Sequence, residues 1–121
     1  MPELVIEPTW DGAGQARLRI AGDLDLAAAR EVGAALSLLE ANDPAELTLD
    51  LRDVEFIDSV GLRVIMEAEQ RRRRSDRELA VVAREDGPVG RLLSLTLLTQ
   101  RVRMVERLEE LHAAGTGAPG G

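Results

Sequence analysis

The groups in this sequence with most capacity for chemistry are one serine hydroxyl and three carboxylates, all beside predicted helix starts. Ser59 directly follows Asp58, and Asp23 and Asp25 lie in a similar position further upstream. A phosphate on a serine at a helix N-terminus is favoured by free backbone N–H groups and by the positive end of the helix dipole. Serine and aspartate are also common N-cap residues. Asp58 and Ser59 therefore fit a helix cap, and the fold would tolerate a phosphate on Ser59.

The upstream aspartates have simpler interpretations of their own. Asp25 precedes a predicted helix and is expected to cap it. Asp23 fits either a solvated loop residue or part of a partner-binding surface. The predicted strands and helices determine whether these aspartates lie near Asp58 and Ser59.

The hydrophobic pattern predicts an N-terminal hairpin followed by alternating strands and helices. Leucines at every second position from 47 to 51 give a strand that continues to residue 57. The first helix is expected to bury Ala28, Val32, Leu36 and Leu39, and the second Leu62, Ile65, Met66 and Ala68. The expected elements are strands near 4–7, 16–20, 47–57, 79–83 and 102–105, with helices near 26–41, 59–74, 88–97 and 106–114. This order predicts a largely parallel sheet with crossover helices, and the carboxyl ends of its strands place both aspartate-rich loops at one edge.

Composition restricts the function. The 121 residues carry a net charge of −7, no cysteine and no lysine, since all 15 basic residues are arginine. An acidic chain whose only aromatic residues are Trp10 and Phe56 is a poor nucleic-acid binder. No apolar run reaches the roughly 20 residues of a membrane span. We expect one cytoplasmic domain over 1–114 and a disordered tail over 115–121, without a metal site or cofactor.

Two further features have alternative interpretations. The arginines at 71–74 fit a solvated helix end that complements the dipole, or a patch for nucleic acid or anionic lipid. Asp50 or Asp53 could be imagined as the phosphate acceptor of a receiver-like domain, but the strand-end lysine of such domains has no counterpart here. The sequence therefore argues against an enzyme.

Three stretches carry a family resemblance. Asp58-Ser59-Val60-Gly61-Leu62 follows a leucine-rich strand, Gly22-Asp23-Leu24-Asp25 follows the second strand, and Leu92-Leu93-Ser94-Leu95-Thr96 precedes the last strand. In these motifs and their order, residues 4–111 resemble the STAS family, the domain of bacterial anti-sigma factor antagonists. The resemblance implies an α/β fold with a mixed sheet of four to five strands, an N-terminal hairpin and about four helices.

The resemblance also implies a mechanism. Ser59 would be phosphorylated by the partner, an anti-sigma factor with serine kinase activity, and phosphorylation would release that partner. The implied partner-binding residues are Asp23, Asp25, Asp58, Val60, Gly61 and Leu62. We expect a monomer, with a weak dimer through the hairpin edge as the alternative. STAS domains also serve as accessory or scaffold subunits of transporters and stress-sensing complexes, where the serine can be a binding contact.

Overall fold

The computed structural model describes residues 3–111, so the tail predicted over 115–121 lies outside the described residues. Between residues 5 and 105 the chain forms five strands, three α-helices and a short 3₁₀ helix. Their bounds are β1 Val5–Trp10, β2 Gln15–Leu24, α1 Leu26–Glu40, β3 Glu46–Ile57, α2 Ser59–Arg74, β4 Leu79–Val82, α3 Pro88–Ser94, the 3₁₀ helix Leu97–Gln100 and β5 Arg103–Val105. Residues 108–111 are again helical, and the rest of the helix predicted over 106–114 lies outside the described residues.

The strands form one mixed sheet in chain order, β1-β2-β3-β4-β5. β1 and β2 form the antiparallel hairpin, and every later pair is parallel. Each parallel pair needs a crossover, which α1, α2 and the segment containing α3 supply. The predicted mixed α/β architecture with an N-terminal hairpin is confirmed.

The hydrophobic core lies between the sheet and the helices. β2 contributes alternate residues from Ala16 to Leu24, as period-two patterning requires. α1 buries the four predicted residues, Ala28, Val32, Leu36 and Leu39. In α2, Ile65 and Ala68 are buried as predicted. The prediction that Met66 is buried is wrong, because 39% of its surface is exposed.

β3 is irregular where it pairs with β2. Arg19 pairs with Asp50 but Ala21 pairs with Asp53, and Gly22 pairs with Val54 but Asp23 with Phe56. At each step β3 advances one residue more than β2, so it contains two bulge-like irregularities. An extra residue reverses which face the following side chains occupy. The simple alternation predicted from Leu47 to Leu51 therefore does not continue to the end of the strand.

The arginine run at the end of α2 is more than a solvated helix end. Arg71 makes a bidentate pair with Glu40 of α1, at 2.7 and 3.0 Å. Arg72 is 5% exposed, and its guanidinium donates to the backbone carbonyls of Pro44, Ala45 and Glu78. Burial, together with nearby Arg77, lowers the pKa of Arg72 below its ordinary value. The predicted solvated end is thus wrong for Arg72, which joins α2 to the segments before β3 and β4.

The sheet face opposite the core cluster carries a buried carboxylate. Asp50 is 2% exposed and accepts from Nε and Nη2 of Arg52 at 2.9 and 2.8 Å. Burial raises the pKa of Asp50, but the hydrogen bonds from Arg52 outweigh burial and leave the pKa below its ordinary value. The ionised form of Asp50 is therefore stabilised by the fold.

We expect Asp50→Asn to lower the free energy of unfolding by about 1–3 kcal/mol at pH 7, because the charge-assisted hydrogen bonds with Arg52 are lost. A depressed native pKa means that the unfolded state binds more protons, so this stabilisation is complete above the unfolded pKa of about 3.9 and declines as pH falls through the native value. Urea unfolding at pH 7 and at about pH 3 measures the gap between wild type and variant. A gap that does not shrink at the lower pH would contradict the assignment.

Among residues 3–111, no helix combines the length and apolarity needed to cross a membrane.

Candidate functional site

The site is built by the carboxyl ends of two neighbouring parallel strands. Leu24 and Ile57 are the last paired residues of β2 and β3. Directly beyond them, the backbone N–H of Asp58 donates to the carbonyl oxygen of Leu24 at 3.4 Å. The two aspartate-rich segments singled out in the sequence therefore lie side by side at one edge of the sheet.

Both helices that leave this edge begin with an aspartate cap. The Asp25 side chain accepts from the backbone N–H of Ala28 at 3.0 Å at the start of α1. Asp58 Oδ1 accepts from the N–H groups of Val60 and Gly61, each at 2.9 Å, at the start of α2. The predicted cap of α1 is confirmed, and Asp58 is the cap of α2.

Ser59 is the first residue of α2 and its side chain is exposed. Because Asp58 supplies the cap, the helix does not need the Ser59 hydroxyl. Within residues 3–111 no hydrogen bond uses Ser59 Oγ. The serine hydroxyl is thus free to react at the surface, and its modification need not disrupt the cap.

Gly61 sets how closely α2 approaches β2. The residue is buried, and a Cβ there would lie directly against the carbonyl oxygen of Leu24, 2.9 Å from Leu24 Cγ and 3.1 Å from Ile57 Cγ1. Any contribution of Gly61 to partner binding is therefore indirect, through the position of α2. Val60 and Leu62 are partly exposed, as are Asp23 and Asp25.

Gly22, one residue before Asp23, has a backbone φ of +101°. A Cβ at this position would lie 2.9 Å from the carbonyl oxygen of Glu3. Glycine is the residue that adopts this conformation without strain and leaves room for the neighbouring backbone. Asp23, expected in a loop, instead lies in β2 and pairs with Phe56, and Asp25 follows the end of the strand as the cap of α1.

Comparison with known proteins identifies the family. The family model described as "Mlab, STAS domain" matches residues 10–113, which contain both aspartate-rich segments. The chain belongs to the STAS family. A curated relative, the anti-sigma-F factor antagonist RsfB of Mycobacterium tuberculosis, is 34% identical over 121 residues, covering 99% of this chain and 94% of the relative.

Solved structures show the same STAS fold. The crystal structure of an anti-sigma factor antagonist from Mycobacterium paratuberculosis superposes with a TM-score of 0.81 and 25% identity, covering 93% of each chain. A sulfate transporter family protein from Wolinella succinogenes superposes with a TM-score of 0.72 and 17% identity, again covering 93% of each chain. The fold alone therefore does not determine the partner.

Two exposed apolar side chains at the STAS site were not identified from the sequence. Leu26, next to the cap Asp25, is 67% exposed, and Phe56, three residues before Ser59, is 49% exposed. Helical periodicity could have identified Leu26, because it lies about 200° around α1 from buried Ala28. Phe56 pairs with Asp23 across the second irregularity of β3, which simple alternation does not predict.

The described part of the chain offers no cluster of side chains for a metal ion. No group of three or more histidine, cysteine, aspartate or glutamate side chains there could hold a metal ion. A groove of ≈ 550 Å³ lies at the opposite edge of the sheet, lined by residues that include Gln15, Glu46 and Arg103. Around Ser59 the chain presents exposed apolar side chains, several carboxylates and the arginine at position 63.

Proposed function

We propose that this STAS domain is an anti-sigma factor antagonist, which binds an anti-sigma factor with serine kinase activity and is released when Ser59 is phosphorylated. The observation that carries the proposal is the exposed Ser59 hydroxyl on a helix that is capped by Asp58. The 34% identity to an anti-sigma-F factor antagonist over nearly the whole chain supports the partner class.

Phosphorylation requires only the free hydroxyl from this chain. Ser59 Oγ would attack the γ-phosphoryl group of ATP bound to the kinase, forming the Oγ–P bond and breaking the bond to the ADP leaving group. The hydroxyl proton would pass to a base on the kinase. Because Asp58 already satisfies two N–H groups of the first turn, the new phosphate leaves α2 capped.

The switch acts through charge at the binding surface. A phosphoserine carries about −1.5 to −2 charges at neutral pH. Asp58 is adjacent to it, and Asp23 and Asp25 lie in the neighbouring segment where β2 ends and α1 begins. One pair of like unit charges about 5 Å apart costs roughly 1–3 kcal/mol between the dielectric constants of water and of a protein surface. If a negatively charged group of the partner faces Ser59, phosphorylation would thus lower the affinity of the complex by about one to two orders of magnitude.

The apolar residues supply attraction for the unphosphorylated state. Leu26 and Phe56 are exposed on the two segments that meet at the site, and burial of such side chains is what holds a protein interface together. Val60 and Leu62 add partly exposed apolar surface on α2. We propose that these four residues form the contact around Ser59, with Asp23 and Asp25 at its margin.

We expect Ser59→Asp to weaken binding of the kinase at least tenfold and Ser59→Ala to preserve binding but abolish phosphorylation. The partner is first captured from native lysate on the wild-type chain, then purified for calorimetry and for phosphoryl transfer from labelled ATP. Ser37→Asp is the matched control, because it adds the same charge at an exposed position of α1. It should leave the dissociation constant within about twofold.

Three outcomes would overturn this function. They are phosphorylation of the Ser59→Ala variant, equal loss of affinity with Ser59→Asp and Ser37→Asp, and recovery of transporter subunits by the wild-type and Ser59→Asp baits alike. The last outcome would support the transporter accessory role.

A further inference from the structure

We infer that Arg63 is an intramolecular partner for the phosphate on Ser59, holding it against α2 in the phosphorylated state. The inference rests on the proposed function for the presence of that phosphate. The juxtaposition of Ser59 and Arg63 on one exposed helix face, and the absence of an ion pair at Arg63 within residues 3–111, carry the argument.

The spacing on α2 brings the two side chains together. Residues four apart on a helix have Cβ atoms about 5–6 Å apart, and an acidic group N-terminal to a basic one is the favoured order. Ser59 and Arg63 have this spacing and order, and both side chains are exposed. A phosphate is larger and more highly charged than the carboxylates for which this pairing was established, and arginine can bind it with two parallel hydrogen bonds.

Arg63 is available for this role. Among residues 3–111, no carboxylate lies within ion-pair distance of its guanidinium, although Glu67 follows it by one helical turn. The order Arg63 then Glu67 is the less favourable one for a pair on a helix.

Three other arginines, on β2, on β3 and after β4, are already engaged. Arg19 pairs with Glu7 and Asp53, Arg52 pairs with Asp50, and Arg84 donates to the carbonyl oxygen of Arg52. Each would have to give up an existing interaction to reach a phosphate. Arg63 would lose no ion pair within the described residues.

The Ser59 phosphate would be repelled by nearby carboxylates, and Arg63 would reduce that repulsion. A phosphate on Ser59 enters a segment that already carries Asp58 and lies beside Asp23 and Asp25. Repulsion from these carboxylates opposes phosphorylation, and Arg63 offsets part of it within the same chain. Arg63 thereby lowers the stability cost of the phosphorylated state.

A thermodynamic cycle tests this without a kinase. Phosphoserine is installed at position 59 during translation, in the wild-type background and in Arg63→Gln, and urea unfolding is measured for all four proteins. We expect phosphorylation to raise the unfolding equilibrium constant about two- to tenfold more in Arg63→Gln than in wild type. In 1 M salt, where the Debye length is about 3 Å, most of this difference should disappear. Arg63→Lys should restore part of the stabilisation of the phosphorylated protein that Arg63→Gln loses.

Arg74→Gln is the matched control, because it removes the same charge from the same helix at a position about 22 Å from Ser59 along the helix axis. Equal effects of phosphorylation in wild type and Arg63→Gln, or an equal response in Arg74→Gln, would overturn the pairing. Failure of a kinase to modify Ser59 would instead overturn the proposed function, since the cycle uses phosphoserine that is already in place.

Discussion

Replacement of Gly61 by alanine is expected to destabilise the fold by about 3 kcal/mol or more, because the new methyl group has no space. The Cβ would lie directly against the Leu24 carbonyl oxygen and 2.9 Å from Leu24 Cγ, so the backbones of α2 and β2 would have to separate. Separation would also move apart the two segments that carry the aspartates. We therefore expect a large fall in the thermal midpoint, and weaker partner binding by any protein that still folds.

Gly33→Ala is the matched control for Gly61→Ala. Gly33 lies inside α1, and apart from its chain neighbours and the nearby backbone of that helix no heavy atom lies within 4 Å of a Cβ built there. Alanine in a helix interior is more favourable than glycine by about 0.5–1 kcal/mol, so this variant should be stabilised. Thermal unfolding of both variants gives shifts of opposite sign if close packing at Gly61 is the cause. Equal shifts would contradict it.

Arg72→Met is expected to lower the free energy of unfolding by about 2–4 kcal/mol. The size of this effect is not expected from the sequence, where Arg72 belongs to a run of four arginines typical of a solvent-exposed helix end. Methionine preserves much of the apolar stem but leaves the carbonyl oxygens of Pro44, Ala45 and Glu78 without their donor. Arg72→Lys should recover only part of the loss, because an ammonium group cannot reproduce the planar fork. Urea unfolding measures both variants.

Arg74→Met serves as the comparison for Arg72→Met. Arg74 is exposed at the end of the same helix, and substitutions at such positions usually change stability by less than about 0.5 kcal/mol. A loss for Arg72→Met that is no larger than the loss for Arg74→Met would show that the carbonyl contacts do not stabilise the fold.

The parts of the fold that were predicted correctly depend on local pattern. The buried face of α1 follows from helical spacing alone, and all four of its predicted core residues are buried. Strand and helix order followed from alternating apolar runs, and the alternation of strands with crossover helices predicted a largely parallel sheet. The prediction that the two aspartate-rich segments lie at the same edge of the sheet then followed from that strand order.

The parts that were missed depend on contacts between distant segments. Four arginines in a row carry no sign that the second meets carbonyl groups nearly thirty residues upstream. Likewise the exposure of Phe56 results from the pairing of β3 with β2, which no pattern within β3 reveals. At the site itself, either Asp58 or Ser59 could have capped α2, and only the hydrogen bonds of Asp58 decide between them.

Because the strands follow one another across the sheet in chain order, every strand pairs with one from which it is separated by a single turn or crossover. The entropy of loop closure grows with the length of chain enclosed, so no pairing has to wait for the two ends of the chain to meet. The sheet can therefore be assembled progressively during synthesis, from the hairpin toward β5. The strand pairing that brings the Ser59 segment beside Asp23 and Asp25 needs no residue beyond α2, so this surface can form early on the nascent chain.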